Sequence, residues 1–205
     1  MGSSATSVKC LLQKRKSDLN LSALYKKLAP YTDILLFAVC LFGANAFWKW
    51  AVEGDDSNNI VTVFGANATP YFSACAQYVA ERVASIIQLF RPTVCYFEPD
   101  IIAFNSGFIS QIAWSCTAIK QSLIWLIIML FARGKHVHKL WYIPLGWLFI
   151  HGFNLLRISL INMLCEFHPE QFVFWHEYLF KYLFYLMLFL LWVLWNESPR
   201  LHPRK

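Results

Sequence analysis

Charge is the first scarcity in this chain: Asp, Glu, Lys and Arg make up 15% of its 205 residues, where a soluble domain carries about a quarter. Hydrophobic residues reach 58% and aromatic ones 18%. That much apolar surface excludes an ordinary soluble domain, and one compact α-helical membrane unit is the reading that buries it. Acid is scarcer than base, with 12 Asp and Glu against 18 Lys and Arg, a formal net charge of +6. The positions of the bases argue against nucleic-acid binding. Lys9, Lys14, Arg15, Lys16, Lys26 and Lys27 precede the first apolar run; Arg133, Lys135 and Lys139 separate two later runs; Arg200, Arg204 and Lys205 end the chain. Basic clusters beside apolar segments mark the cytoplasmic side of a membrane protein.

Metal-type cysteine spacing is also missing. The six cysteines, Cys10, Cys40, Cys75, Cys95, Cys116 and Cys165, form no CxxC pair, so neither a structural metal nor an organic cofactor is implied. Cys75 and Cys95 are the pair placed to form a disulfide in an outer domain, which spacing alone does not decide. No internal repeat and no low-complexity stretch divides the chain. The opening Met-Gly-Ser-Ser-Ala-Thr fits a myristoylation pattern, yet a chain with several spans needs no lipid anchor.

What is present is a series of apolar runs. Residues 1–30 read as a cytoplasmic basic tail ending at Pro30, and 31–51 as a first transmembrane helix whose apolar core runs from Asp33 to Trp50. The basic flank and the lack of a cleavage site favour a signal anchor over a removable signal peptide. Further spans are expected at Trp114–Ala132, Leu140–Cys165 and Phe172–Trp195, within a transmembrane core over 114–198, followed by a basic cytoplasmic tail over 199–205. Four spans put both tails and the loop Arg133–Lys139 inside, as the positive-inside rule demands. The segment 52–113 then lies outside, and its Glu53, Asp55, Asp56, Glu81, Glu98 and Asp100 suit that side. Pro70–Phe90 has helical period with Glu81 and Arg82 in its middle, which predicts an amphipathic helix on the outer leaflet rather than a span. After it, short β-prone runs divided by Glu98-Pro99-Asp100 and Asn105-Ser106-Gly107 predict a small β-hairpin. The expected fold is an all-α polytopic membrane protein with four transmembrane helices, an outer amphipathic helix and a small β-hairpin.

Three residues break the apolar runs in a shared way. Arg157 lies sixteen residues beyond Trp141, ~24 Å up its helix. Cys116 precedes Arg133 by seventeen residues, roughly 25 Å by the same rise, and His176 opens the last span. All three fall near the outer interface, within about one to two turns of it in a ~30 Å hydrocarbon core. An ionisable group inside a membrane is a functional-site hypothesis. Cys116 stands where the hairpin feeds a helix, and a thiol at a helix N-terminus or near a cation has a lowered pKa; the bland alternative is a small buried hydrophobe. Lys120 follows at i+4 on the same face. Arg157 has no carboxylate at i±3 or i±4, and Asn154 shares its face, with His151 further along that stripe. Its guanidinium either snorkels to outer headgroups or stabilises a developing oxyanion. His176 is either one more member of the interfacial belt Phe-Val-Phe-Trp-His-Glu-Tyr or a general base for the thiol. His168 and Glu177 have weaker claims, Lys181 lies deeper, and His136 and His138 fall on the opposite, cytoplasmic side.

These residues resemble the exosortase/archaeosortase family of polytopic membrane cysteine transpeptidases. The resemblance rests on Trp114-Ser115-Cys116-Thr117-Ala118-Ile119-Lys120-Gln121-Ser122, on Asn154-Leu155-Leu156-Arg157-Ile158, and on His176 at the start of the final helix. It covers roughly Pro70 to Trp195, and the chain looks like a short member. The family's Cys-Ser-Gly-x-x-Ser reads here as Cys116-Thr117-Ala118-Ile119-Lys120-Gln121, with Thr117 and Ala118 as departures and Lys120 where arginine is common. The resemblance implies a Cys116-Arg157-His176 site supported by Asn154, Lys120 and Thr117. It also implies cleavage of C-terminal sorting signals of exported proteins at the outer face of the plasma (inner) membrane, through a Cys thioester. Substrates would carry a short motif, a hydrophobic helix and a basic tail, and an amine or lipid headgroup would accept the product. The alternative of another class is a non-catalytic membrane subunit of an export or envelope-assembly complex. A small transporter is disfavoured by the lack of broken helices and repeats.

Overall fold

The computed structural model describes residues 31–56, 60–97 and 99–198. The tails expected at 1–30 and 199–205, and Glu98 of the expected turn, lie outside the described residues. The chain divides into two units, 1–39 and 40–205, with the boundary inside the first helix. In the first unit the described residues form the start of that helix. The second unit holds everything that follows.

Helix α1, Thr32–Ala51, occupies the first apolar run. The chain then forms a feature absent from the sequence reading. Strands β1 (Val52–Asp55), β2 (Ile60–Val63) and β3 (Ala66–Asn67) make an antiparallel meander. These strands run two to four residues with most side chains exposed, so no alternation announces them. The β2–β3 turn sets Phe64 and Gly65 at φ 51° and 76°, both positive as a tight hairpin turn requires. The Phe64 ring rests against Trp50, 5.4 Å between centroids, which anchors a side chain in an otherwise unfavourable backbone.

Helix α2, Thr69–Gln88, has Pro70 in its first turn, where a missing N–H costs nothing. Its buried stripe, Phe72, Ala76, Val79, Ala80, Val83, Ala84 and Ile87, recurs every three or four residues. The expected single hairpin is corrected to a second three-stranded antiparallel meander, β4 (Cys95–Phe97), β5 (Ile101–Ala103) and β6 (Ile109–Gln111). The Asn105-Ser106-Gly107 turn therefore adds a strand instead of ending the sheet. Ile102, Phe104 and Ile112 join the α2 stripe and Ile158 in one core cluster. Cys75 and Cys95 are both free and exposed.

The expected span Trp114–Ala132 is divided. A 3-10 turn, Trp114–Thr117, precedes helix α3, Ile119–Phe131, with Ala118 between them in a left-handed conformation, φ 61°. At 13 residues α3 is ~20 Å long. Helix α4, His136–Cys165, runs 30 residues through Pro144. The hairpin joining α3 and α4 is tied by Lys139, 6% exposed, which donates to the carbonyls of Leu130 (3.1 Å) and Ala132 (2.6 Å) at the end of α3. Gly146 makes the close approach possible, because a Cβ there would overlap the Trp125 indole. The last apolar stretch starts with a 3-10 turn at Pro169–Gln171, tightens into a π-helical turn over Phe174–Leu179, and becomes helix α5, Phe180–Glu197. Three helical stretches, Thr32–Ala51, His136–Cys165 and Pro169–Glu197, are long and apolar enough to cross a membrane, and Ile119–Phe131 is a shorter apolar helix.

Candidate active site

Three elements bring the three predicted residues together. Cys116 sits on the 3-10 turn, Arg157 on α4 and His176 in the π-helical turn. The thiol turn is held from α4: Asn154, fully buried, donates its side-chain N–H to the Cys116 carbonyl at 2.7 Å. Thr117 donates its hydroxyl to the Trp114 carbonyl at 2.8 Å, closing the turn from within. Thr117 thus shapes the turn and does not line the cavity. The left-handed Ala118 then lets the chain reverse into α3 and leaves the half-buried thiol facing α4 and the π-helical turn.

His176 Nε2 lies 3.9 Å from Cys116 Sγ, and its Nδ1 lies 3.0 Å from Glu177 Oε1. Glu177 accepts Nδ1–H, which assigns the lone pair of Nε2 to the thiol side, the tautomer a general base needs. A separation of 3.9 Å is loose for proton transfer, as substrate-free sites often are. The imidazole is further fixed by stacking on Phe172, 5.1 Å between centroids and 13° between planes. In an α-helix, neighbouring residues point about 100° apart; the wider π turn lets His176, Glu177 and Lys181 all line one cavity. Such π turns recur at functional sites.

Arg157 is 7% exposed. Its guanidinium interacts with the Cys116 sulfur, lies 5.9 Å from the centre of the Phe184 ring, and leaves Nε with no hydrogen-bond partner. Among the described residues no carboxylate pairs with it. Arg157, His176, Glu177 and Lys181 border a cavity of about 240 Å³, which Asp56, Ser115, Lys120 and Gln121 also line.

The Arg157 guanidinium and the Ser115 side chain both reach the thiol.

Of the residues named from sequence, Cys116, Arg157, His176, Asn154 and Lys120 converge. His151 does not join them; it stacks on Tyr78 at 5.7 Å. His168 pairs with Glu170 at 3.2 Å on an exposed turn, while His136 and His138 begin α4, more than about four helical turns from Asn154. Glu177, Lys181 and Asp56 also line the cavity. Glu177 and Lys181 carry a legible signal, an i,i+4 acid–base pair (3.5 Å) beginning beside the histidine. Asp56 directly follows strand β1, a short exposed strand that periodicity does not reveal. Among the described residues no group of His, Cys, Asp and Glu is arranged to hold a metal ion.

Comparisons with protein-family models, with curated proteins and with solved structures find no match to this chain.

Two predictions follow from the turn and the thiol. Replacing buried Ala118 by Val places a β-branched side chain in left-handed backbone. It should cost about 2 kcal/mol or more in denaturant unfolding, whereas Ala118→Gly should stay within about 1 kcal/mol of wild type; equal effects would contradict the turn geometry. Cys116 should be alkylated faster than the buried Cys40 and Cys165, at a rate that climbs with pH as thiolate forms. Arg157→Gln removes the charge that favours thiolate and should slow Cys116 labelling at fixed pH by about tenfold. Equal labelling of the three cysteines, followed by peptide mass spectrometry, would remove the case for a reactive thiol.

Proposed function

We propose that this protein is a membrane-embedded cysteine peptidase or transpeptidase of the exosortase/archaeosortase type, which cleaves C-terminal sorting signals of exported proteins. The observation that carries this reading is the convergence of Cys116, Arg157 and His176 from three separate elements, with Glu177 behind the imidazole. A second observation supports the resemblance: Ala118 adopts φ 61° at the position where the family's pattern has glycine, the residue that enters that conformation without strain.

In this reading the chain is a multi-pass protein of the plasma (inner) membrane. The three long apolar helices cross it and Ile119–Phe131, lengthened by the thiol turn, forms a fourth span. Both tails and the loop Arg133–Lys139 lie in the cytoplasm, and the cavity opens near the extracytoplasmic face. The substrate is an exported protein held in the bilayer by a C-terminal hydrophobic helix with a short motif before it and a basic tail after it.

The chemistry follows from the geometry. His176 Nε2 takes the Cys116 proton as sulfur attacks the scissile carbonyl, and Glu177 stabilises the imidazolium that forms. The carbonyl oxygen becomes an oxyanion beside the Arg157 guanidinium, whose charge is already desolvated and needs little reorganisation. Collapse breaks the C–N bond, His176 returns the proton to the departing amine, and the exported fragment remains as a thioester on Cys116. An acceptor nucleophile, an amine or a lipid headgroup, then attacks the thioester with His176 again as base, and the thiol is regenerated. Limited access of bulk water favours this transfer over hydrolysis.

The test is Cys116→Ala in the native host, with the membrane and secreted proteomes read by C-terminal peptide mass spectrometry. Proteins bearing the motif, helix and basic tail should keep their C-terminal peptides, with processing reduced by ~10³-fold or more. Full processing at normal expression would overturn the enzyme reading and favour a non-catalytic membrane subunit.

A further inference from the structure

The cavity holds more positive charge than the proposed reaction uses. Lys120, Arg157 and Lys181 line it against Asp56 and Glu177. Glu177 is fully engaged: Oε1 meets His176 at 3.0 Å and Oε2 meets Lys181 at 3.5 Å. Lys120 has no hydrogen-bond or ion-pair partner among the described residues, and it feels the charges of both Lys49 and Lys181. Arg157, at 7% exposure, keeps an unpartnered Nε. Several cations share a confined space with one acid engaged and only Asp56 left to offset them. A desolvated cation without an anion is costly, and three residues of cation chemistry around one cavity can share the oxygens of a single oxyanion.

We infer that this cavity is a binding site for a phosphate group, held by Lys120 and Lys181 beside the Cys116 thiol with Arg157 at its inner wall. A phosphate fits better than a lone carboxylate. One carboxylate can be satisfied by the arginine fork alone, whereas phosphate presents enough oxygens for the guanidinium and both ammonium groups together. The phosphate has two possible sources, the headgroup of a bilayer lipid or a soluble phosphate compound, and the same cations recognise either. The site stands whether or not Cys116 turns over a peptide, since it rests on the charges of the cavity and not on catalysis.

The experiment uses the full-length protein and two readouts, Cys116 alkylation and the thermal unfolding midpoint. In detergent, inorganic phosphate should slow alkylation saturably and raise the midpoint, while chloride at equal ionic strength should do neither. Lys120→Gln and Lys181→Gln should each raise the phosphate concentration needed by about tenfold, the loss of roughly 1.4 kcal/mol that a tenfold change represents. Lys120→Arg, which keeps the charge, should restore most of the effect. In nanodiscs of phosphate-free galactolipid, free phosphate should protect Cys116. In nanodiscs of phosphatidylglycerol, protection without added phosphate assigns the lipid headgroup as source, and its absence there assigns a soluble phosphate compound. Protection no better than chloride in every arm, or protection unaltered by both lysine substitutions, would overturn the inference. Neither result would touch the Cys116→Ala test of processing.

Discussion

The hydrogen bond from Asn154 to the Cys116 carbonyl, 2.7 Å and fully buried on the Asn side, is the contact on which the rest of the site depends. The thiol turn has few ties of its own: it is four residues long and leads into left-handed backbone. What gives it a fixed position is α4, which supplies Asn154 to the turn and, three residues on, Arg157 to the sulfur. Residues three apart share a helix face, so one rigid element sets both the thiol and the cation beside it. The Trp125–Gly146 contact and the Lys139 cap hold α3 against α4 at the other end. A displacement of that hairpin would move thiol and guanidinium relative to each other.

The charges of the site are arranged so that no partner is wasted. Among the described residues Arg157 has no carboxylate partner, and Glu177 is engaged by the imidazole and Lys181. The guanidinium is thus free to meet negative charge that develops on a bound group, which is where preorganised charge accelerates a reaction. The π-helical turn is what allows it. Its extra residue per turn widens the arc so that a histidine and its orienting acid, adjacent in the chain, serve one cavity.

Much of this arrangement is legible in the sequence, and the illegible parts have physical reasons. Long apolar runs give α1, α4 and the last helix because twenty or so consecutive hydrophobic residues permit little else. The alternation of Val79, Val83 and Ile87 with Glu81 and Arg82 gives the amphipathic α2. Cys116, Arg157 and His176 stand out because each is costly in its setting. The first sheet is hidden because β1 to β3 are short and exposed, so burial imprints no pattern on Val52–Asn67. The single hairpin grew to three strands because Ile109–Gln111 reads equally as the approach to the next helix. Ala118 conceals the break between thiol turn and α3, since alanine favours helix and here adopts the one backbone conformation that interrupts it. Glu177 was undervalued because helical geometry turns i and i+1 apart, and no propensity announces a π turn.

The central claim is that the Cys116 sulfur forms a covalent bond to a carbonyl carbon. The direct measurement is to isolate the protein from its native host after rapid acid quench and to examine Cys116 by intact and peptide mass spectrometry, with and without neutral hydroxylamine. The account predicts an acyl adduct on Cys116 that hydroxylamine releases as the C-terminal hydroxamate of an exported protein, and that is absent when His176 is replaced by Ala. An unmodified Cys116 in a host actively trimming such signals, or an adduct on another residue, would contradict it.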